Sequence, residues 1–202
     1  ICPGGSYQIL DWVAHVERLA ALFTPMGYAV VGLKYRVSAS HDASADALAD
    51  LRRAIEVIHT HADDWRINPD RLVGLGYSAG SNLLLNHACD VATEGGRGPS
   101  CATPATVPYM ALLCLWPHNR GCDTYDVTAD VSTVLLCATD EDDAAPSSFS
   151  QAIGESMKRV GVSVTTKVYP RGNHHAFNFE EDGPEVDWTP AFLNWLGENG
   201  LD

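Results

Sequence analysis

The chain has 202 residues, enough for one domain with a real core, and 46% of them are hydrophobic. Acidic residues outnumber basic ones 26 to 13, giving a net charge of −13. That balance argues against binding nucleic acid or an anionic membrane by charge, and polyanionic substrates would be repelled. No apolar stretch approaches the roughly 18 residues of a membrane span, and no signal or transit peptide is visible.

Ile1-Cys2-Pro3 reads as the tail of a strand whose start lies upstream, so the sheet is expected to lack its opening strands and to leave an unpaired groove. Gly4-Gly5-Ser6-Tyr7 follows that tail. Two glycines after a strand let the backbone turn and expose its N–H groups, either as an ordinary turn or as half of an oxyanion hole. From Asp11 to about Thr24, Trp12, Val16, Leu19, Ala20 and Phe23 share one apolar helical face, and Pro25 and Gly27 stop the helix. Tyr28 to Leu33 is a short, β-rich strand. Ser44 is the expected cap of a helix reaching about His61, with Ala47, Leu48, Leu51, Ala54, Ile55 and Ile58 facing inward.

Leu72-Val73-Gly74-Leu75 is an apolar strand leading into Gly76-Tyr77-Ser78-Ala79-Gly80, and a helical pattern leads out to about Ala92. This is G-x-S-x-G in the context it needs, a strand turning sharply into a helix. A Cβ at position 76 or 80 would collide with the neighbouring strand and helix, and the turn lifts the Ser78 hydroxyl above the sheet. Tyr109 to Leu115 and Thr133 to Ala138 are further buried strands. After the second comes the acidic run Asp140-Glu141-Asp142-Asp143, and Pro146 opens a helix to about Val160. Val162 to Tyr169 alternates with period two as the last strand. A loop carrying His174-His175 follows, then a helix over about 186–198 with Trp188, Phe192 and Trp195 or Leu196 inward.

Strands alternating with helices predict an α/β protein, a three-layer α/β/α sandwich on a mainly parallel sheet, in a single domain over 1–202. Among the cysteines, Cys114 and Cys137 sit in strand runs as buried thiols, while two of Cys89, Cys101 and Cys122 could pair in a secreted protein. No C-x-x-C pair marks a zinc site.

Chemistry-bearing groups of an open α/β sheet gather at the carboxyl ends of its strands. Here those ends carry the Gly4-Gly5-Ser6 loop, Ser78, the acidic run and the His174-His175 loop, in the order Ser, acid, His. In this order, and in Pro3-Gly4-Gly5-Ser6-Tyr7, Tyr35-Arg36-Val37, Gly76 to Gly80, Asp142 to Pro146 and His175-Ala176-Phe177, nearly the whole chain resembles the α/β-hydrolases. Within them it resembles the carbohydrate-esterase and carboxylesterase branch, which includes acetylxylan and feruloyl esterase-like proteins. A serine hydroxyl is inert at neutral pH until a base takes its proton, which makes Ser78 the expected nucleophile and a histidine the expected base. Of the two loop histidines, the resemblance favours His175, two residues before a phenylalanine, over His174. Of Asp140, Asp142 and Asp143, it favours Asp142, four residues before the proline that begins a helix. The residue after the nucleophile, Ala79, offers one oxyanion donor, and the resemblance adds Gly5 and Ser6.

The stretch from Pro117 to Ser132 is short where relatives often carry a cap, which implies an open, shallow site suited to an ester on a sugar or polymer. Tyr7, Tyr77 and Trp116, with Trp188, are either stacking faces for a sugar ring or packing residues. The implied activity is hydrolysis of a short acyl ester, foremost acetyl, of a carbohydrate or similar alcohol. It calls for no cofactor or metal and no nucleic-acid or membrane partner. Two alternatives stay open: a prolyl-oligopeptidase-type serine peptidase and a non-catalytic hydrolase-fold binding protein.

Overall fold

The computed structural model describes residues 1–93, 111–115, 117 and 133–201. Within these, four parallel strands form one sheet in the order β1-β2-β3-β4: Val73–Tyr77, Ala111–Leu115, Thr133–Thr139 and Val164–Tyr169. The registers run Leu75 to Leu113, Leu113 to Leu135 and Leu135 to Thr165. Parallel pairing needs a crossover between successive strands, and among the described residues helices stand in two of these connections. Helix α4, Ala79–Thr93, follows β1, and α5, Ser147–Arg159, joins β3 to β4.

Period-two alternation sends successive strand residues to opposite faces, and each face is covered. Cys114, Val134 and Leu136 pack with Leu83 and Leu84 of α4, Ile153 and Met157 of α5, and Ala47 and Leu51 of α2, Ser44–Thr60. Leu75, Tyr77, Leu115, Leu135 and Cys137 pack on the other side with Leu19 and Phe23 of α1, Arg18–Phe23, and with Phe192, Trp195 and Leu196 of α6, Thr189–Glu198. Cys2, Cys114 and Cys137 are buried thiols and Cys89 is buried on α4; Cys101 and Cys122 lie outside the described residues. No described helix is long and apolar enough to cross a membrane.

Three local readings need correction. Tyr28 to Leu33 is extended but forms no strand. Its pairing is with Ile1, whose N–H donates to Val31 O (2.7 Å) and whose carbonyl accepts from Leu33 N–H (2.9 Å). Cys2 continues that tail against β1, with Cys2 N–H to Leu75 O at 2.8 Å and Tyr77 N–H to Cys2 O at 3.2 Å. Beside this junction lies an apolar cleft of about 440 Å³ whose lining includes Val30, Leu72 and Val73. Ser44 does not cap α2: it is the first helical residue, and its own N–H is taken by Asp42 Oδ1 at 2.8 Å. The first helix begins as a π-helical turn, Val13–Glu17, before becoming regular α1, a change that apolar spacing does not register.

Candidate active site

The site is built where β1 turns into α4. Ser78 sits at φ 49°, a left-handed conformation that costs a non-glycine residue roughly 1–3 kcal/mol and holds its side chain clear of both elements. The flanking glycines make that turn possible. A Cβ on Gly76 would lie 2.6 Å from the Gly80 carbonyl, and one on Gly80 would overlap the carbonyl of Cys2. Ser78 N–H donates to Leu115 O at 2.8 Å, and the Ser81 hydroxyl lies between the carbonyls of Gly76 (2.6 Å) and Leu115 (2.7 Å). The elbow is therefore fastened to the ends of two neighbouring strands.

The Ser78 hydroxyl meets His174. Its Oγ lies 3.0 Å from His174 Nε2, and His174 Nδ1 lies 2.7 Å from Asp142 Oδ2. The other carboxylate oxygen of Asp142 accepts from Ala144 N–H (2.8 Å) and Ala145 N–H (2.9 Å). Burial alone would push this carboxyl up, but the hydrogen bond to His174 and the two backbone donors outweigh it and hold it below its ordinary value of 3.8. Asp142 is thus ionised at neutral pH and aimed at the imidazole. Its neighbours have other partners: Asp140 accepts from the Ser147 hydroxyl at 2.8 Å, and Glu141 accepts from Gly172 N–H at 3.0 Å, tying the acidic loop to the histidine loop.

His175, the expected base, is not beside Ser78; His174 is. The Asn173 side chain accepts from His175 N–H at 2.8 Å, and the Asn173 carbonyl accepts from Ala176 N–H at 3.1 Å. This tight turn drives Ala176 and Phe177 into the core, leaves His174 half-buried over the elbow and turns His175 out to solvent. The histidine that faces Ser78 is therefore three residues before the phenylalanine.

Gly5, Ser6 and Tyr7 have φ values of 133°, 56° and 60°, so the loop after Pro3 is wound through three left-handed residues. Ser6 and Tyr7 line a cleft of about 130 Å³ together with Ser78, Ala79, Ala144 and His174. Tyr7 is 3% exposed and its hydroxyl donates to Asn82 Oδ1 at 2.8 Å, so it is a wall of the cleft and offers no open stacking face. Tyr77 does not line the cleft, contrary to expectation. It is fully buried, its hydroxyl donating to Phe177 O at 3.3 Å, because β1 alternation puts it on the same inward face as Leu75. Trp188 is likewise buried, with Nε1–H donating to Phe177 O at 3.1 Å. Trp116 and residues 118–132 lie outside the described residues.

Sequence reasoning passed over His15, Asn82 and Asn178. His15 follows Trp12 by three positions and precedes Leu19 by four, spacing that places an imidazole on the buried face and was a readable signal. Among the described residues no group of three His, Cys, Asp or Glu side chains is placed to hold a metal ion.

The fold and these loops define an α/β-hydrolase architecture. The family model described as BD-FAE matches residues 4–95, somewhat less than half of the chain, a stretch that holds the Gly4-Gly5 loop and the elbow. Among solved structures, the chain is similar to a carboxylesterase of Lactobacillus plantarum, at 20% identity and TM-score 0.79, over 99% of this chain and 84% of that one. It is also similar to an acetyl ester-xyloside bifunctional hydrolase of Caldicellulosiruptor lactoaceticus, at 20% identity and TM-score 0.79, over 99% and 83%. A third is esterase 2 of Thermogutta terrifontis, solved phosphorylated by paraoxon, at 20% identity and TM-score 0.80, over 99% and 81%. No sequence among the curated proteins matches the chain. At this identity the likeness shows a shared fold.

Proposed function

We propose that the protein is a serine esterase that hydrolyses short acyl esters, acetyl foremost, of carbohydrates or similar alcohols. The observation that carries this reading is the continuous path from the Ser78 hydroxyl through His174 to Asp142, at 3.0 and 2.7 Å. Ser78 Oγ attacks the acyl carbonyl carbon while its proton passes to His174 Nε2. Asp142 holds the His174 Nδ1–H and stabilises the imidazolium that forms. The N–H groups of Gly5, Ser6 and Ala79 receive the oxyanion, each worth roughly 3 kcal/mol of barrier. His174 then gives its proton to the departing alcohol oxygen. In the second half, it takes a proton from water as that water attacks the acyl-enzyme, and the acid leaves with Ser78 restored.

The small cleft supports a short acyl group, and the neighbours named as esterases, with one named an acetyl ester-xyloside bifunctional hydrolase, support the substrate class. The test is turnover of p-nitrophenyl esters of rising chain length beside acetylated xylose and a proline anilide, with fluorophosphonate labelling of Ser78 and an S78A control. Acetyl and propionyl esters are expected to be cleaved with the highest kcat/KM. Folded protein that neither labels nor cleaves any ester would sink the reading, and anilide cleavage above ester cleavage would replace it with a peptidase.

A further inference from the structure

We propose that His15 is a positioning residue for the oxyanion loop: its Nδ1 lone pair holds the Gly4 N–H and thereby sets the direction of the N–H groups that follow. This rests on the esterase reading above, in which Gly5 and Ser6 receive the oxyanion. Successive left-handed residues do not keep such a shape unaided, since Ser6 and Tyr7 each carry a steric cost there. The loop must be gripped from outside; Asp11 N–H does so at Gly4 O (3.1 Å), the Tyr7 hydroxyl does so at Asn82, and three further contacts act on its main chain. Tyr35 hydroxyl donates to Pro3 O (2.6 Å), Ser38 N–H donates to Tyr7 O (2.8 Å), and Gly4 N–H donates to His15 Nδ1 (3.0 Å).

The third grip differs from the others because it is linked to both remaining parts of the site. The His15 ring stacks on Tyr77, the residue before Ser78, with centroids 4.0 Å apart and planes 8° from parallel. Its Nε2–H donates to Asn178 Oδ1 at 2.8 Å, four residues beyond His174. Asn178 in turn donates its own N–H to His175 O at 2.9 Å. One imidazole thus joins the oxyanion loop, the elbow strand and the histidine loop. The ring is only 6% exposed, and it is carried by the π-helical turn Val13–Glu17, which shifts the register of that buried face.

The contacts also fix the protonation state. Gly4 N–H needs a bare Nδ1, and Asn178 Oδ1 needs Nε2–H, so only the neutral Nε2–H tautomer satisfies both. Asp11 Oδ2, 3.8 Å from Nε2, favours a hydrogen on the same nitrogen.

Three substitutions separate positioning from packing. H15F keeps an aromatic ring against Tyr77 but has no acceptor; H15N places Oδ1 near the Nδ1 position; H15Q carries its amide out to the Nε2 position. For p-nitrophenyl acetate, H15F is expected to lose about ten- to a hundredfold in kcat with KM within about twofold, as removal of a transition-state contact requires. H15N should recover most of that loss and H15Q should not. Amide exchange at Gly4 should quicken in H15F and H15Q and return toward the wild-type rate in H15N. A packing role predicts a different order, with H15F the mildest change. Wild-type kcat in H15F, or equal impairment of H15N and H15Q, overturns the proposal. If H15F does not fold, the H15N and H15Q comparison decides. If the wild-type protein cleaves no ester, the esterase reading falls, and Gly4 exchange across the variants still decides the role of His15.

Discussion

Replacing Asp142 by asparagine tests the proton path most sharply, because the surroundings dictate how the new amide must sit. Asp142 Oδ1 accepts two backbone N–H groups, from Ala144 and Ala145, at 2.8 and 2.9 Å. An asparagine that turned its NH2 toward them would forfeit two hydrogen bonds, at about 1 kcal/mol each, and face donors with donors. The amide oxygen therefore stays where Oδ1 was, by at least roughly thirtyfold in population. Its NH2 then faces His174 Nδ1, across the contact that is 2.7 Å long in the native protein. The imidazole must accept there, so its hydrogen moves to Nε2 and points at Ser78 Oγ. A base already carrying a proton cannot take one. Loss of the carboxylate also removes the charge that stabilises the imidazolium. A Ser-His-Asp arrangement forced into this tautomer loses about 10⁴ in kcat, or about 5 kcal/mol of barrier. The assay is kcat for p-nitrophenyl acetate at neutral pH, with a thermal melt showing that D142N is folded. Because the carboxyl is held below 3.8, Asp142 itself stays ionised at neutral pH, where the assay is run. Folded D142N that kept more than about a tenth of wild-type kcat would refute the reasoning.

The two loop histidines should part company on mutation. H174A is expected to lose at least about 10³ in kcat and H175A, altering an exposed side chain, to stay within about twofold, both measured with p-nitrophenyl acetate; the reverse order would restore the motif-based choice. Acid should weaken the fold through His87 on α4. Burial, with the charge of Arg52 adding to it, pushes this imidazole down to about 4 from its ordinary 6.5. Between those values the unfolded chain binds the proton and the folded chain does not, so stability falls as pH drops. The loss is roughly 3 kcal/mol in full, with about 2 kcal/mol reached by pH 5. Urea midpoints at pH 7 and pH 5 should show a smaller drop in H87Q than in wild type, and equal drops would rule His87 out as the source.

Much of the scaffold was legible. The strand before Ser78, its elbow and α4 announce themselves because only glycine fits at 76 and 80, and β3 and β4 stand out as β-rich runs between turn residues. The carboxylate that meets His174 was not legible from the residues alone, which left Asp140, Asp142 and Asp143 open; only the family resemblance favoured Asp142. What could not be read are features settled by a neighbouring backbone. Position 174 or 175 is decided by Asn173 folding its side chain onto the His175 N–H, two residues on, an event without periodicity. Tyr77, by contrast, was readable and misjudged: two places after Leu75 on a strand, it had to share that residue's buried face. His15 was legible as a buried histidine, yet its partners, Gly4 and Asn178, are 11 and 163 residues away, and only the folded chain introduces them.

The bare contact between Gly80 and the Cys2 carbonyl sets how this site can change. At this contact no side chain stands between the helix that follows Ser78 and the segment leading into the Gly4-Gly5 loop, so their spacing there is a matter of main chain on main chain. Such a joint cannot be retuned by exchanging residues in small steps; any insertion of bulk shifts attacker and receptor apart together. Adaptation to a new acyl group or alcohol would therefore be channelled to exposed positions of the cleft lining, such as Ala144, while the spacing at Gly80 keeps one fixed gauge.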